Sequence, residues 1–381
     1  MIKFQPLKRP TEFAPTLFVF MVTISFTLLI LTLHQGDVMA FVRLGTRYGQ
    51  GNPNGTIGYD GQFVYQIARQ PLGAAAYLDI PAYRYQRILY PLAGRWLAFG
   101  QPALIPYMLI ILNLIALTVG SYIMSLILAQ HGLSRWYAVT VGLFAGQLVS
   151  LRLDLNEPFA LTFALLAIYT FEKETARQLK NDGQFSYRLG AVYLSLSMLS
   201  KETSLLFVGG YLAYFFLTHK WWPLLETSLI SLGPFAIWQA ILWATLGEIG
   251  LRSGGQGATA FSLIPFGGLL GFGLQNLSTF ITVLFLLGPL ILFPCLALTI
   301  NLIKQTKVTG SFSPITFILA LHILMMATLP FSTYVDLPGV LRLTSGLVVS
   351  TVVYATITQQ RFMLRYTTLW LVSGVLLIFV S

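Results

Sequence analysis

Asp60 lies in the run Gly58-Tyr59-Asp60-Gly61-Gln62-Phe63, inside the longest polar stretch of an otherwise apolar chain. A carboxylate set among tyrosines and arginines can take a proton from a hydroxyl as a general base. The stretch continues through Asp79 to Arg84-Tyr85-Gln86-Arg87. Guanidinium groups match phosphate oxygens in bidentate geometry, which makes Arg84 and Arg87 candidates for holding an anionic substrate. Farther along, Asp154 with Glu157, Lys201 with Glu202, and Asp336 with Arg342 each interrupt apolar sequence. Lys201 or Arg342 can stabilise charge on a leaving phosphate, a contribution that is often the largest in catalysis.

Each of these residues also has a plainer reading. An Asp just ahead of an apolar-periodic helix is a common N-cap. Asp79 precedes Ile80-Pro81 and suits a turn. Arg84 and Arg87 suit anchors to lipid phosphates, and Lys201 and Glu202 suit loop charges. Pro158 can open a helix at its first position. Asp336 and Arg342 flank Pro338-Gly339 and can pair across a turn.

The elements that must position these groups follow from composition. Apolar residues make up 56% of the 381 and charged residues 9%, against roughly a quarter charged in soluble domains. With a mean hydropathy of +0.73, the chain reads as an all-α polytopic membrane protein, a single transmembrane domain over 1–381. The net charge of +10 comes without any basic run. It fits the positive-inside bias, and nucleic acid is not an expected partner. One cysteine, Cys295, excludes a disulfide framework. Four scattered histidines without ligand spacing leave no histidine metal site to propose. Gly267-Gly268 and Gly271-x-Gly273 lack the Gly-Lys-Ser/Thr of a phosphate loop and read as flexible or closely packed backbone.

Eleven apolar stretches are expected to span, at about 13–33, 104–128, 136–151, 158–171, 189–200, 203–218, 223–246, 279–303, 313–331, 340–356 and 366–381. The first follows Lys3, Lys8 and Arg9 and reads as a retained signal-anchor helix. A cytoplasmic amino terminus puts 13 of the 23 Lys and Arg on the inside, largely in short connectors. The candidate acids and bases then share the outside face. Residues 172–188 read as a solvated helix end with a turn at Asn181-Asp182-Gly183. Trp221-Trp222 reads as an interfacial anchor.

The first outside loop, 34–103, is too polar to span and too patterned to be disordered. Apolar residues at 59, 63, 64, 67 and 68 make a helical stripe that Pro71 stops. A second stripe, at 85, 88, 89, 92 and 96, leaves Arg84, Arg87 and Arg95 on the opposite side, with Pro91 kinking or restarting the helix. The expectation is a pair of amphipathic helices at the membrane interface, basic faces outward.

Two motifs in this loop carry a resemblance. Tyr59-Asp60-Gly61-x-x-x-Tyr65-x-Ile67-Ala68, followed by Pro81-x-Tyr83-Arg84-Tyr85-Gln86-Arg87-Ile88-Leu89-Tyr90-Pro91-Leu92, resembles bacterial multi-spanning proteins of the GT-C glycosyltransferase superfamily. It is more distantly similar to the second mannosyltransferase of GPI-anchor assembly. Residues 150–205 match loosely, through Arg152-x-Asp154-Leu-x-Glu157-Pro158 and Ser200-Lys201-Glu202-Thr203.

The resemblance implies Asp60 as catalytic base, an inverting reaction and a polyprenyl-phosphate sugar donor. Tyr59, Tyr65, Asp79, Arg84, Arg87, Asp154, Glu157, Lys201, Glu202 and Arg342 would line the substrate site. Asp60 lacks the acidic neighbour that several relatives carry, so no cofactor is assigned, and a divalent metal is doubtful. The expected acceptor is a glycan, lipid or protein outside the cytoplasmic membrane. Two rival classes stay open: a transporter or flippase of lipid-linked sugars or small solutes, and an envelope polysaccharide ligase or polymerase. A transporter is expected to show repeated halves, which the sequence lacks. A ligase relies on arginines more than on a loop Asp.

Overall fold

A computed structural model describes residues 12–178, 187–255, 257–310 and 312–380. The basic residues before residue 12 and the turn expected at Asn181-Asp182-Gly183 lie outside these. Among the described residues the chain is helical throughout, with no strand. The first helix, α1 (Ala14–Leu33), contains no charge and carries Pro15 in its first turn. The polar stretch that follows folds into short helices: α2 (Met39–Val42), α3 (Thr46–Gly49), α4 (Gly61–Arg69), α5 (Pro81–Tyr85) and α6 (Leu89–Leu97). Then come α7 (Ile105–Gln130), α8 (Ala138–Leu143), α9 (Ala145–Arg152), α10 (Glu157–Gln178), α11 (Arg188–Ser200), α12 (Leu205–Leu217) and α13 (Trp221–Leu246). The last group is α14 (Gly267–Gln275), α15 (Leu277–Leu287), α16 (Phe293–Thr309), α17 (Pro314–Thr328), α18 (Phe331–Val335), α19 (Leu337–Ile357) and α20 (Arg361–Thr367).

Over its described residues every expected apolar stretch coincides with helix, yet among the described residues five segments are long and apolar enough to cross a membrane. These are α1, α7, α13, α19 and the run Leu277–Lys307, which joins α15 and α16 through a π-helical turn at Gly288–Leu292. Glu202–Leu217 and Pro314–Thr328 are apolar but shorter. The stretch expected at 136–151 is broken at Phe144, whose extended ψ of 139° separates α8 from α9.

Burial ranks the helices. In its most apolar window α19 is 78% buried, whereas α1 and α13 are 22% buried. Thus α19 is the central post, packed on α9 and α17, while α1 and α13 show most of their surface to the surroundings. Around it α10 packs on α7 and α11, and α12 on α17. Gly268 fits against the Leu329 carbonyl and the Tyr334 ring, which supports the close-packed reading of that glycine run. Trp221 and Trp222 are exposed, as an interfacial anchor requires.

The helix expected from Tyr59 is present as α4, and it stops at Gln70 ahead of Pro71. The second expected helix is two pieces, α5 and α6, with Gln86–Ile88 between them and Pro91 in the first turn of α6. The exposure expected of the basic side is corrected. Seven of the nine residues of α4 are buried, as are Arg84 and Arg87, at 8% and 7% exposure. Arg84 and Arg87 face inward, because buried acids are available there to pair with them, whereas Arg95 bonds the Ala68 and Arg69 carbonyls.

Candidate functional site

The turn carrying Asp60 is clamped from both sides. Tyr59 N–H donates to the Arg43 carbonyl at 3.1 Å. On the other side Gly61 lies so close to α9's end that a Cβ would sit 2.2 Å from the Leu153 carbonyl oxygen and 3.2 Å from that of Val42. Only a residue without a side chain fits between those backbones. We therefore expect Gly61→Ala to cost about 1–3 kcal/mol through overpacking, read as a fall in melting temperature of the solubilised protein. An unchanged melting temperature would show that the clamp yields freely.

Asp60 occupies the N-cap position of α4 without capping it. Its backbone is already helical (φ −55°, ψ −29°) and its side chain makes no cap hydrogen bond. The N-cap reading is thereby corrected, because both carboxylate oxygens are engaged elsewhere. Oδ1 lies 3.0 Å from Arg84 Nη1, and Oδ2 accepts from Arg342 Nη1 and Nη2 at 3.1 Å each. The Asp60 side chain is 24% exposed. Burial works to raise its pKa, but the charges of Arg84 and Arg342 outweigh burial and hold the carboxyl well below the usual range.

Four cations and four carboxylates are interlocked around this pair. Arg84 grips Asp79 through two bonds of 2.7 Å, and its guanidinium lies over the Phe63 and Tyr83 rings. Arg87 grips Glu202 through bonds of 2.7 and 2.6 Å and donates to the Tyr83 hydroxyl at 2.6 Å. Lys201 Nζ donates to Glu157 Oε1 at 2.9 Å, with both side chains 5% exposed. Arg342 links the two halves, because its Nε lies 3.6 Å from that same Glu157 oxygen. Lys201 and Glu202 are therefore members of a buried web and not loop charges.

The ion pair considered between Asp336 and Arg342 is absent. Asp336 accepts instead from the Tyr59 hydroxyl at 2.9 Å, while the Arg342 guanidinium lies 5.3 Å from the centre of the Tyr59 ring.

Two crevices meet at Arg342. One is lined by Asp60, Phe63, Arg84, Arg87, Asn156 and Arg342, the other by Glu157, Lys201, Ser204, Phe207, His322 and Arg342. The structure thus brings together Tyr59, Asp60, Asp79, Arg84, Arg87, Glu157, Lys201, Glu202 and Arg342.

It leaves out two expected members. Tyr65 packs in an apolar cluster with Val42, Ala68 and Tyr90, because helical spacing from Asp60 turns it away from the crevice. Asp154 is fully buried outside the crevice lining, and neither of its oxygens has a hydrogen-bond partner. It adopts a left-handed φ of 50° that carries the chain from α9 into α10.

Three contributors were missed by sequence reasoning. Tyr83 stood in the motif but without an assigned role. Asn156, whose side chain donates to the Ser200 carbonyl and ties the two charged breaks together, was passed over between Asp154 and Glu157. His322 gave no local signal at all, because it is the lone titratable residue inside the apolar α17.

The web makes a testable pH dependence. A carboxyl whose folded pKa is depressed contributes stability that is fully present above its unfolded value, near 4, and is lost as pH falls through the lower folded value. Melting temperature should begin to fall near pH 5 and go on falling below pH 3, toward the depressed folded values, and Asp60→Asn should show a smaller fall than the native chain. Parallel curves for the two proteins would remove Asp60 from the account.

Both Asp60 oxygens already belong to guanidinium groups, a set that does not fit a divalent cation. Among the described residues no three His, Cys, Asp or Glu side chains are grouped to hold one. No family model, curated protein or solved structure matches the chain.

Proposed function

We propose that the chain is a membrane glycosyltransferase of the GT-C kind. It would transfer a sugar from a polyprenyl-phosphate donor to an acceptor hydroxyl on the outer side of the cytoplasmic membrane, with inversion at the anomeric carbon. The observation that carries the reading is Asp60, a partly exposed carboxylate at the rim of a crevice whose walls are Arg84, Arg87 and Arg342. In this reading the eleven helical stretches all cross the bilayer, and the amino terminus is cytoplasmic. The donor's tail would lie in lipid while its phosphate reaches the crevice.

In the reaction Asp60 Oδ2 takes the acceptor's proton as the acceptor oxygen bonds to the anomeric carbon. The bond from that carbon to the phosphate oxygen breaks, and the electron pair leaves on polyprenyl phosphate. A carboxylate held between two guanidiniums is fully ionised but weakly basic. Arg342 makes the longer contacts of the web, at 3.1 and 3.6 Å, against 2.6–2.7 Å for the Arg87–Glu202 grip. A phosphate entering the crevice competes with Asp60 for Arg342. As that pair loosens, Asp60 regains basicity where the acceptor hydroxyl arrives. The four cations are already matched by four carboxylates, which favours a singly charged phosphodiester donor over a diphosphate.

Reconstituted protein given labelled polyprenyl-phosphate sugars is the test. Labelled product on a hydroxyl acceptor supports transfer. Movement of intact donor across the bilayer without product would replace this reading with a flippase.

A further inference from the structure

Of the two crevices that meet at Arg342, the one without Asp60 contains a histidine that the proposed transfer does not use. His322, on α17, is 1% exposed, and its ring centre lies 4.7 Å from that of Phe207. Its Nδ1 is 2.8 Å from the Ile318 carbonyl oxygen. A carbonyl only accepts, so Nδ1 carries the hydrogen, and in the neutral ring Nε2 is left as an acceptor. That nitrogen faces α19. A Cβ built on Gly346 would lie 2.6 Å from it, so the bare backbone there is what admits the imidazole. Gly346 follows Arg342 by four residues in α19, which sets Nε2 against the helix face that carries the guanidinium.

The ion-pair web leaves hydrogen-bonding groups unused around this pocket. Arg342 gives Nη1 and Nη2 to Asp60, while its buried Nε–H has no hydrogen-bond partner among the described residues. Glu157 Oε1 lies 3.6 Å from that nitrogen, too far for a hydrogen bond. Lys201 Nζ donates to Glu157 and, among the described residues, to nothing else. The walls therefore present donors from Arg342 and Lys201 beside acceptors from His322 and Glu157. The cavity itself is about 20 Å3, which admits one water. An anionic oxygen has no hydrogen to give the His322 lone pair. A water has two hydrogens and two lone pairs, and so matches walls of both kinds.

We propose that this pocket is the site of one resident water, which donates to His322 Nε2 and accepts from Arg342 Nε–H. His322 is then a positioning residue. Through the water it fixes the guanidinium at Nε, while Asp60 holds it at Nη1 and Nη2. The inference stands on the contacts of Arg342 and not on sugar transfer.

Solid-state NMR of the full chain in lipid, with isotope-labelled histidine, tests the water directly. The His322 signals are those lost in His322→Gln. The expected result is a protonated Nδ1 and an unprotonated Nε2 that receives magnetisation from water. An Nε2 without water contact, or one bonded directly to the guanidinium, overturns the water site.

The positioning role is read from melting temperatures. His322→Leu removes the acceptor, and His322→Gln returns one, Oε1, at similar reach. The gap between these two variants reports the acceptor. His322 and Asp60 line different crevices, whose linings have Arg342 alone in common. Changes at the two positions should therefore add unless Arg342 couples them. The gap is expected to shrink to less than about half when Asp60→Asn is added to both variants. If His322→Leu does not fold, His322→Met, unbranched and adaptable, takes its place. A gap of equal size in both backgrounds, or no gap at all, makes His322 a packing residue and overturns the positioning role. Neither measurement uses turnover, so the transferase reading can fail without touching this result.

Discussion

Asp60→Asn is expected to abolish sugar transfer, with turnover falling by on the order of 10³-fold. Asn keeps the shape and one acceptor oxygen but cannot hold a proton taken from the acceptor. Its amide N–H2 would also face a guanidinium, donor against donor, where Oδ1 or Oδ2 now accepts. Arg84 keeps its grip on Asp79, and Arg342 keeps Glu157 at 3.6 Å. The structural cost should therefore stay near 1–3 kcal/mol, the usual penalty for a charged group left short of a partner. Melting temperature and turnover are to be measured on the same preparation. Turnover near the native rate would falsify Asp60 as the base. A large fall in melting temperature that accounts for the lost activity would reduce Asp60 to a keystone of the ion-pair web.

Lys201→Ala should be the most destabilising single change in the web, at about 3–5 kcal/mol. Lys201 and Glu157 are both nearly inaccessible, and Lys201 Nζ is the nearest cation to Glu157 Oε1. Deleting it leaves a buried carboxylate with the 3.6 Å contact to Arg342 and a 3.3 Å hydrogen bond from the Ser150 hydroxyl. Removing one partner of such a pair costs far more than removing both. The double change Lys201→Ala with Glu157→Gln should consequently recover more than half of the loss. Chemical or thermal unfolding of the four proteins closes the cycle. Additive losses would mean that the two side chains are not energetically paired.

Much of this site could be read along the chain, and its wiring could not. The stripe at 59, 63, 64, 67 and 68 located α4, and the polar breaks at 152–158 and 201–202 located two walls of the crevices. Asp60, Arg84, Arg87 and Arg342 were recognised as chemistry-bearing by type and setting. What failed was the rule that a basic stripe faces water. Arg84 and Arg87 point inward because Asp79, Asp60 and Glu202 wait there, and Glu202 lies 115 residues beyond Arg87. Local pattern holds no trace of such a partner. The N-cap reading of Asp60 failed for the same reason, since two distant guanidiniums outbid the backbone amides next door. Tyr65 shows the converse error. It stood near the catalytic candidate in the motif, but its helical position turns it into the apolar core.

The span between Asp60 and Arg342 has a consequence for how the protein is made. The two residues are 282 positions apart, and synthesis proceeds at about 5–20 residues per second. For tens of seconds, at that rate, the nascent chain carries Asp60, Glu157 and Glu202 without the arginine that joins their two halves. A ribosome-bound or truncated product ending before α19 is electrostatically unfinished, however many apolar helices it has inserted. Such a chain can already pair Asp60 with Arg84, Glu157 with Lys201 and Glu202 with Arg87, so what the arrival of α19 adds is the joint between two preformed halves.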